Sequence, residues 1–432
     1  MRTPALILPA IVLLFSCGTS PEKKTVSSDT AAVAAAPKKD SVGAIAPAGP
    51  VQLEDSSEPA PLVPHPIHLQ KGVDLNLSLP KGYAISVAYE GLRRLRFLTK
   101  SPDGRLFATD MYNTSDNKKG RVYIFSGWDS ATRSFRKATV YMDGLHNPNQ
   151  VAFYSDYIYI SETGILTRRR YYPGDTIAPA SCDTIASFPD YGLGYKYGGW
   201  HLTRSLAFHE KKLYVSVGSS CNACIETEDV RASILEMDPD GSGKRIYATG
   251  VRNSVGINWV GGQLWATSMG RDLLGADKPE DLFHQVKEGQ FYGWPYYFQY
   301  KDSIYADTAM QRLARGQQLR IPAQPPVAWC GFKAHSAPLG FAYFSQFSDP
   351  LLNDHFLVAL HGSTTVSRQR GNSLVRITGR GRYEPVVDGF LEGKTNADRK
   401  GRPCDVLQQD GSSFFFTDDH NGVLYYVWKE KQ

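Results

Sequence analysis

A histidine and a pair of cysteines lie within one short stretch, GGWHLTRSLAFHEKKLYVSVGSSCNAC, which begins at Gly198. His201 comes directly before an alternating apolar run that predicts a strand, and an imidazole there could act as a general base. Its residue type alone does not establish that role, because a lone histidine beside an aromatic residue is more often packed in a core. Cys221 and Cys224 have the spacing of a local disulfide, since no second such pair is present to complete a zinc site.

The N-terminal part of the chain has the features of a signal and a linker. Residues 1–16 combine a basic start with an apolar run of signal-peptide length. The LFSC sequence that follows resembles a bacterial lipobox, which implies lipidation of Cys17; an ordinary secretory signal is the alternative. Residues 17–64 contain no aromatic residue and predict a disordered linker. We therefore expect an exported protein, lipid-anchored at the bacterial outer membrane on its periplasmic or surface face, with no other contact to the membrane.

Charge and cysteine content narrow the function classes. The 432 residues carry 48 basic and 43 acidic side chains, a net charge of +5, and the basic clusters are short and isolated. This balance argues against a nucleic-acid partner. Five cysteines remain after Cys17, so at least one thiol is expected to be unpaired.

A short cassette recurs along the rest of the chain at roughly 50-residue intervals, with one longer gap. Each copy is a polar turn followed by an apolar strand that ends in small polar residues. The copies begin at Asp103, Ser155, Glu210, Gly261, Asn353 and Asp410. Repeats of this length built from strands predict an all-β fold in which residues 65–432 form a six-bladed β-propeller. A pair of two-sheet sandwiches is the alternative, and it does not explain the period.

In such a propeller the loops at one end of the channel form a concave pocket. The small polar ends of five cassettes would then lie near the channel axis; these residues are Thr109, Ser161, Ser216, Thr267 and Thr417. The same topology places His201 at the mouth of the third blade. His146 and Gln150 occupy the corresponding entrance of an earlier blade and are candidate pocket-wall residues.

Three longer motifs resemble one family. They are YATGVRNSVGINW from Tyr247, GQLWATSMGRDLLGADKPEDLFHQVKEGQFYGWPYY from Gly262, and HSAPLGFAYF from His335. All three are similar to the soluble quinoprotein glucose and L-sorbosone dehydrogenases, and HLTRSLAF is most similar to the sorbosone branch. The resemblance implies a six-bladed propeller that binds pyrroloquinoline quinone (PQQ) and Ca²⁺, and that oxidises an aldose or a sorbosone-like sugar aldehyde. Electrons would pass to an external acceptor.

The resemblance also implies roles for individual residues. His201 matches the position of the family's general base. Arg252 and Asn253 match an Arg-Asn pair beside the cofactor, and Arg402 matches a further arginine that contacts it. Positions that contact the cofactor also fall on His335 and His361. The backbone carbonyl groups that hold calcium map onto Gly270 and Arg271.

Two other functions remain open on the same fold. A sugar lactonase would need a metal held by acidic side chains at the channel, and Asp110, Glu162 and Asp418 are the strand-end candidates. A non-catalytic propeller that binds carbohydrate or protein is the second alternative. It is kept open by Trp200, Ser254 and Cys404, which depart from the family pattern.

Overall fold

A computed structural model of the chain describes residues 51, 59–190, 201–363, 370–393, 395 and 398–431. The predicted signal peptide, Cys17, Trp200 and most of the predicted linker lie outside these residues. Strand β1 (Leu62–His68) forms a hairpin with β2 (Asp74–Pro80), so ordered structure begins inside the segment assigned to the linker. Within the described ranges, no helix is both long and apolar enough to cross a membrane.

The remaining strands form six four-stranded antiparallel sheets and one extra hairpin. Strand β3 (Tyr83–Tyr89) comes first and belongs to the last sheet. Blade 1 consists of β4 (Leu95–Lys100), β5 (Leu106–Asp110), β6 (Gly120–Asp129) and β7 (Ser134–Leu145). Blade 2 consists of β8 (Gln150–Tyr154), β9 (Tyr157–Ser161), β10 (Ile165–Arg170) and β11 (Asp183–Ser187). Blade 3 consists of β12 (Arg204–His209), β13 (Lys212–Val217), β14 (Ser233–Met237) and β15 (Arg245–Thr249).

The second half of the chain completes the set. Blade 4 consists of β16 (Ile257–Val260), β17 (Gln263–Ser268), β18 (Asp281–Val286) and β21 (Cys330–Phe332), and its insertion holds β19 (Tyr297–Tyr300), β20 (Ser303–Ala306) and α1 (Thr308–Gly316). Blade 5 consists of β22 (Pro338–Phe344), β23 (His355–Leu360), β24 (Ser373–Gly379) and β25 (Arg382–Val387). Blade 6 consists of β26 (Pro403–Gln408), β27 (Ser413–Asp418), β28 (Val423–Lys429) and β3.

The six sheets close into a ring, which confirms the predicted six-bladed propeller. The innermost strands are β4, β8, β12, β16, β22 and β26, and each contacts the next around the circle, with β26 returning to β4. Blade 6 joins the two ends of the folded chain, because β28 pairs with β3 in an antiparallel register. This pairing leaves the ring with no open seam between its first and last blades.

All six cassettes found in the sequence form the second strand of a blade, next to the innermost one. The terminal hydroxyl groups of five of them were predicted to lie near the channel axis. They are buried against the innermost strands, where each hydroxyl bonds to a backbone group. Thr109, Ser161, Thr267 and Thr417 are completely buried.

These hydroxyl groups link each blade to the next one. The hydroxyl of Thr267 accepts a hydrogen bond from Gly256 N in its own blade, at 2.9 Å, and donates to the carbonyl of Leu339 in blade 5, also at 2.9 Å. Thr417 likewise accepts from Asp405 N and donates to Arg96 O of blade 1. Thr109 and Ser161 make the same pair of bonds in blades 1 and 2.

Blades 3 and 5 vary this pattern. In blade 3, Ser216 accepts from Ser205 N, and the hydroxyl of Ser205 then donates to Val255 O in blade 4. In blade 5 the equivalent position is Ala359, which has no hydroxyl to donate. Hydroxyl bonds therefore link blade to blade at five of the six junctions.

We predict that Thr417→Val destabilises the propeller by about 1–3 kcal/mol, because the buried N–H of Asp405 and carbonyl of Arg96 would lose their partner. Thr139→Val, on the outer strand β7, is the matched control and should change stability much less. The measurement is urea unfolding followed by circular dichroism. Equal midpoints for both variants would contradict this role of the hydroxyl.

Candidate active site

The segments that precede the innermost strands and those that follow the second strands meet at one mouth of the channel. They line an open cavity of about 190 Å³ in blades 3 to 6. Six residues predicted from the sequence line it: His201, Arg252, Gly270, His335, His361 and Arg402. Asn253 is buried beside the cavity, with its amide nitrogen 3.5 Å from the sulfur of Met269. Arg271 lines a smaller neighbouring cavity of about 40 Å³ beneath the blade 4 insertion.

His201 is held in the tautomer that a general base requires. Its Nδ1 lies 2.8 Å from both the carbonyl oxygen and the hydroxyl oxygen of Ser219. A carbonyl can only accept, so Nδ1 carries the hydrogen and the lone pair is on Nε2. Burial, and then the nearby Arg252 guanidinium, hold the pKa of His201 well below its usual value of 6.5. The imidazole is therefore neutral at neutral pH.

The backbone around His201 depends on one close approach. His201 has a φ of +48°, in the left-handed region. A Cβ atom added at Gly218 would lie 2.5 Å from the Cβ of His201 and 2.6 Å from the side-chain oxygen of Asn253. Only glycine fits there, and this allows the base and Asn253 to pack against the same strand end.

The loop after Gly218 positions both the base and an arginine. Cys221 and Cys224 form the predicted disulfide in this loop. The hydroxyl of Ser219 donates to Cys221 O at 2.8 Å. Asn222, the next residue, accepts from Arg252 through both its backbone and its side-chain oxygen, at 2.9 and 3.0 Å. Sequence reasoning missed Ser219 and Asn222, although the adjacent cysteine pair marked the loop.

Two buried guanidinium groups give the cavity its positive wall. Burial lowers the pKa of Arg252 to about 10 and that of Arg402 to about 9. Arg402 donates to the carbonyl oxygens of His361 and Gly362. Arg252 lies 3.9 Å from the carboxylate of Asp272. Desolvated guanidinium groups favour an anionic ligand, and two of them together suit carboxylates.

The two predicted histidines in blade 5 have pKa values that are shifted in opposite directions. His335 lies 3.4 Å from a carboxylate oxygen of Asp272, which raises its pKa. His361 lies 2.8 Å from Asp419, but burial and Arg402 lower its pKa to about 3. The cavity thus has one imidazole that favours the protonated form and one that stays neutral.

The predicted calcium position is occupied by other contacts. The carbonyl of Gly270 accepts from the Arg252 guanidinium at 3.0 Å. A divalent cation bound to the same oxygen would lie beside a positive charge, so these side-chain positions do not fit calcium there. The N–H of Gly270 donates to Asp281, a buried carboxylate that the sequence reasoning missed; burial raises its pKa to about 6.

Other predicted features do not join this cavity. Gln150 was a candidate pocket-wall residue, but its side chain accepts from Leu206 N and links blades 2 and 3. The lactonase candidates Asp110, Glu162 and Asp418 lie in three different blades. Each accepts backbone N–H groups, so they form no common metal centre.

Comparison with known proteins places the chain among related sequences. A family model described as TrAA12-like matches residues 77–429. An uncharacterized protein of Borreliella burgdorferi is 25% identical over 382 residues, which cover 82% of this chain and 91% of that protein.

Solved structures share the fold. An iodide structure of the family AA12 enzyme of Trichoderma reesei matches with a TM-score of 0.67 at 16% identity, over 87% of this chain and 100% of that one. The PQQ domain of pyranose dehydrogenase from Coprinopsis cinerea matches with a TM-score of 0.64 at 17% identity, over 82% and 97% of the two chains. The soluble aldose sugar dehydrogenase of Escherichia coli gives 0.54 at 14% identity, over 81% and 100%.

We predict that the Cys221→Ser, Cys224→Ser double variant exchanges the amide hydrogens of residues 219–226 about tenfold faster than the wild type, because the loop loses its covalent closure. Hydrogen exchange followed by mass spectrometry measures this. Cys330→Ala, which removes a buried free thiol, is the control and should leave the loop unchanged. Unaltered protection in the double variant would mean that hydrogen bonds alone hold the loop.

Proposed function

Because the chain belongs to the TrAA12-like family, we propose that it is a PQQ-dependent oxidoreductase acting on an aldose or a sorbosone-like sugar aldehyde. One observation carries this proposal: a neutral histidine and two buried arginines line one cavity at the channel mouth. The family match confirms the predicted relationship to the soluble quinoprotein sugar dehydrogenases, whereas membership of the sorbosone branch stays a prediction.

The positive charge of the cavity arginines complements the negative charge of the quinone. PQQ carries three carboxylates, and Arg252 and Arg402 would supply positive charge and N–H donors to them. His335, whose pKa is raised by the hydrogen bond to Asp272, lies on the same wall. When bound, the quinone would accept a hydride from the substrate carbon that bears the hydroxyl group.

His201 is the general base of the same reaction. Oxidation of an aldose at its anomeric carbon removes one hydride and one hydroxyl proton and forms a lactone. The Nε2 lone pair of His201 takes that proton, while Ser219 keeps Nδ1 protonated and the ring oriented. The proton then leaves to solvent, and an external acceptor of two electrons restores the oxidised cofactor.

Two sequence predictions, calcium binding and a lipid anchor, belong to the proposal, although no reaction step above uses them. Calcium at Gly270 and Arg271 would require Arg252 to release the Gly270 carbonyl, and no step here depends on it. A lipid anchor at Cys17 would place the enzyme at the outer membrane, where it would meet sugars outside the cytoplasm.

The test is titration of the cofactor-free protein with PQQ, followed by addition of aldoses. We expect saturable binding and bleaching of the oxidised quinone spectrum. His201→Gln should still bind the quinone but turn over at least about 10²-fold more slowly, because general base catalysis is lost. Arg252→Gln and Arg402→Gln should each weaken quinone binding about ten- to hundredfold.

Arg136→Gln is the matched control, because exposed Arg136 lies on the outer strand β7 and pairs with Asp129, away from the cavity. It should leave both binding and turnover unchanged. Absence of saturable binding to the wild type would overturn the proposed cofactor. Full turnover by His201→Gln would overturn the assignment of the base alone.

The opposite pKa shifts of His201 and His335 predict that the two imidazoles titrate in different pH ranges. In the cofactor-free protein, the His201 signal should not titrate between about pH 8 and about pH 6.5, since its pKa is lowered, while His335 should gain its proton above about pH 6.5. NMR of ¹³C-labelled histidine measures both, with assignments from His201→Gln and His335→Gln. Asp272→Asn should lower the His335 midpoint. A His201 midpoint above that of His335 would refute the stated electrostatics.

A further inference from the structure

A second group of polar side chains lies on the same rim, in blades 1 and 2. Asp116 comes from the loop between β5 and β6, His146 from the connection between β7 and β8, and Asp190 from the segment after β11. None of them lines the cavity described above. The three side chains come from separate segments that the ring closure of the propeller brings together.

The imidazole of His146 lies between two carboxylates. Its Nε2 is in close contact with a carboxylate oxygen of Asp116, and its Nδ1 lies 3.3 Å from Asp190. One ligand atom from each of the three residues can be chosen so that all lie within 4.8 Å of one another. Each residue can thus offer one ligand atom to the same cation, and His146 would offer one of its two ring nitrogens.

One oxygen in this group lacks a partner. Within the described part of the chain, Oδ2 of Asp116 is buried and accepts no hydrogen bond, and the Asp116 side chain is only 8% exposed. A buried carboxylate oxygen without a donor is costly, and a bound cation removes that cost.

The surroundings add negative charge. A carboxylate oxygen of Glu162 accepts from the backbone N–H of His146 at 2.6 Å, and burial raises the pKa of Glu162. Two carboxylates therefore face the imidazole, and a third accepts from the backbone of the same residue. Arg169 and Lys118 are the cations that act on Glu162, and the Arg169 guanidinium itself bonds to Thr167 and Pro179.

We propose that Asp116, His146 and Asp190 bind a divalent transition-metal ion of the Zn²⁺ or Mn²⁺ type. One imidazole nitrogen and two carboxylate oxygens form a mixed set that suits these ions. Calcium prefers six to eight oxygen ligands, so it is the weaker candidate at this site. Water completes the coordination, since the protein supplies three groups. The site does not depend on the proposed quinone chemistry.

The test uses the full chain, treated with a chelator and free of quinone, in calorimetric titrations with ZnCl₂, MnCl₂ and CaCl₂. We expect one site for Zn²⁺ or Mn²⁺ that Ca²⁺ does not fill. Asp116→Asn and Asp190→Asn should each weaken it at least tenfold. Asp156→Asn is the matched control, because this exposed carboxylate pairs with Arg170 on the outside of blade 2.

Visible spectroscopy of the wild type tests the site even if a variant fails to fold. Co²⁺ added to the wild type should give visible absorption bands of a histidine- and carboxylate-bound ion, and Zn²⁺ should displace them. The proposal is overturned if the wild type binds neither Zn²⁺ nor Mn²⁺, or if folded Asp116→Asn binds as the wild type does. Glu226→Gln should leave binding intact, which separates this site from the group at Cys221 and Cys224.

Discussion

The bond from a buried hydroxyl to the next blade is the interaction on which the rest of this structure depends. A propeller blade has few ways to contact its neighbour except through side chains, and the innermost strands have backbone groups that would otherwise be unpaired. Thr267 satisfies Gly256 N in its own blade and Leu339 O in the next. The same bonds fix where each innermost strand begins. The residues just before those strands, such as Asn253 and Ala337, are therefore displayed at the channel mouth.

Charge is distributed unevenly around that mouth. Blades 4 and 6 contribute guanidinium groups whose pKa values are lowered by burial. The neutral state of His201 follows from the same cause, because Arg252 and burial both disfavour a second positive charge. Blades 1 and 2 instead gather carboxylates around His146. One half of the rim thus favours an anion and the other a cation, on a chain whose total charge is nearly balanced.

Much of the fold could be predicted because strand repeats have a period visible in the sequence. The bonds of the cassette hydroxyls could not be predicted, since a threonine at a strand end looks the same whether it faces a channel or a neighbouring blade. The family resemblance found His201, Arg252 and Arg402, which share one cavity. It missed Asn222 and Asp281, which act through backbone contacts between distant segments, and such contacts leave no residue pattern.

The long gap in the repeat holds the blade 4 insertion, whose contacts the spacing of the cassettes does not predict. The blade 4 insertion starts α1 at Asp307, whose side chain caps Met310 N and also pairs with Arg271 at 2.6 Å. From the same insertion, the indole of Trp294 donates to Asn222 O, which also accepts from Arg252. The insertion therefore braces the two loops that carry Gly270 and Arg252. A blade without it would have the same sheet but would lose the contacts of Asp307 with Arg271 and of Trp294 with Asn222.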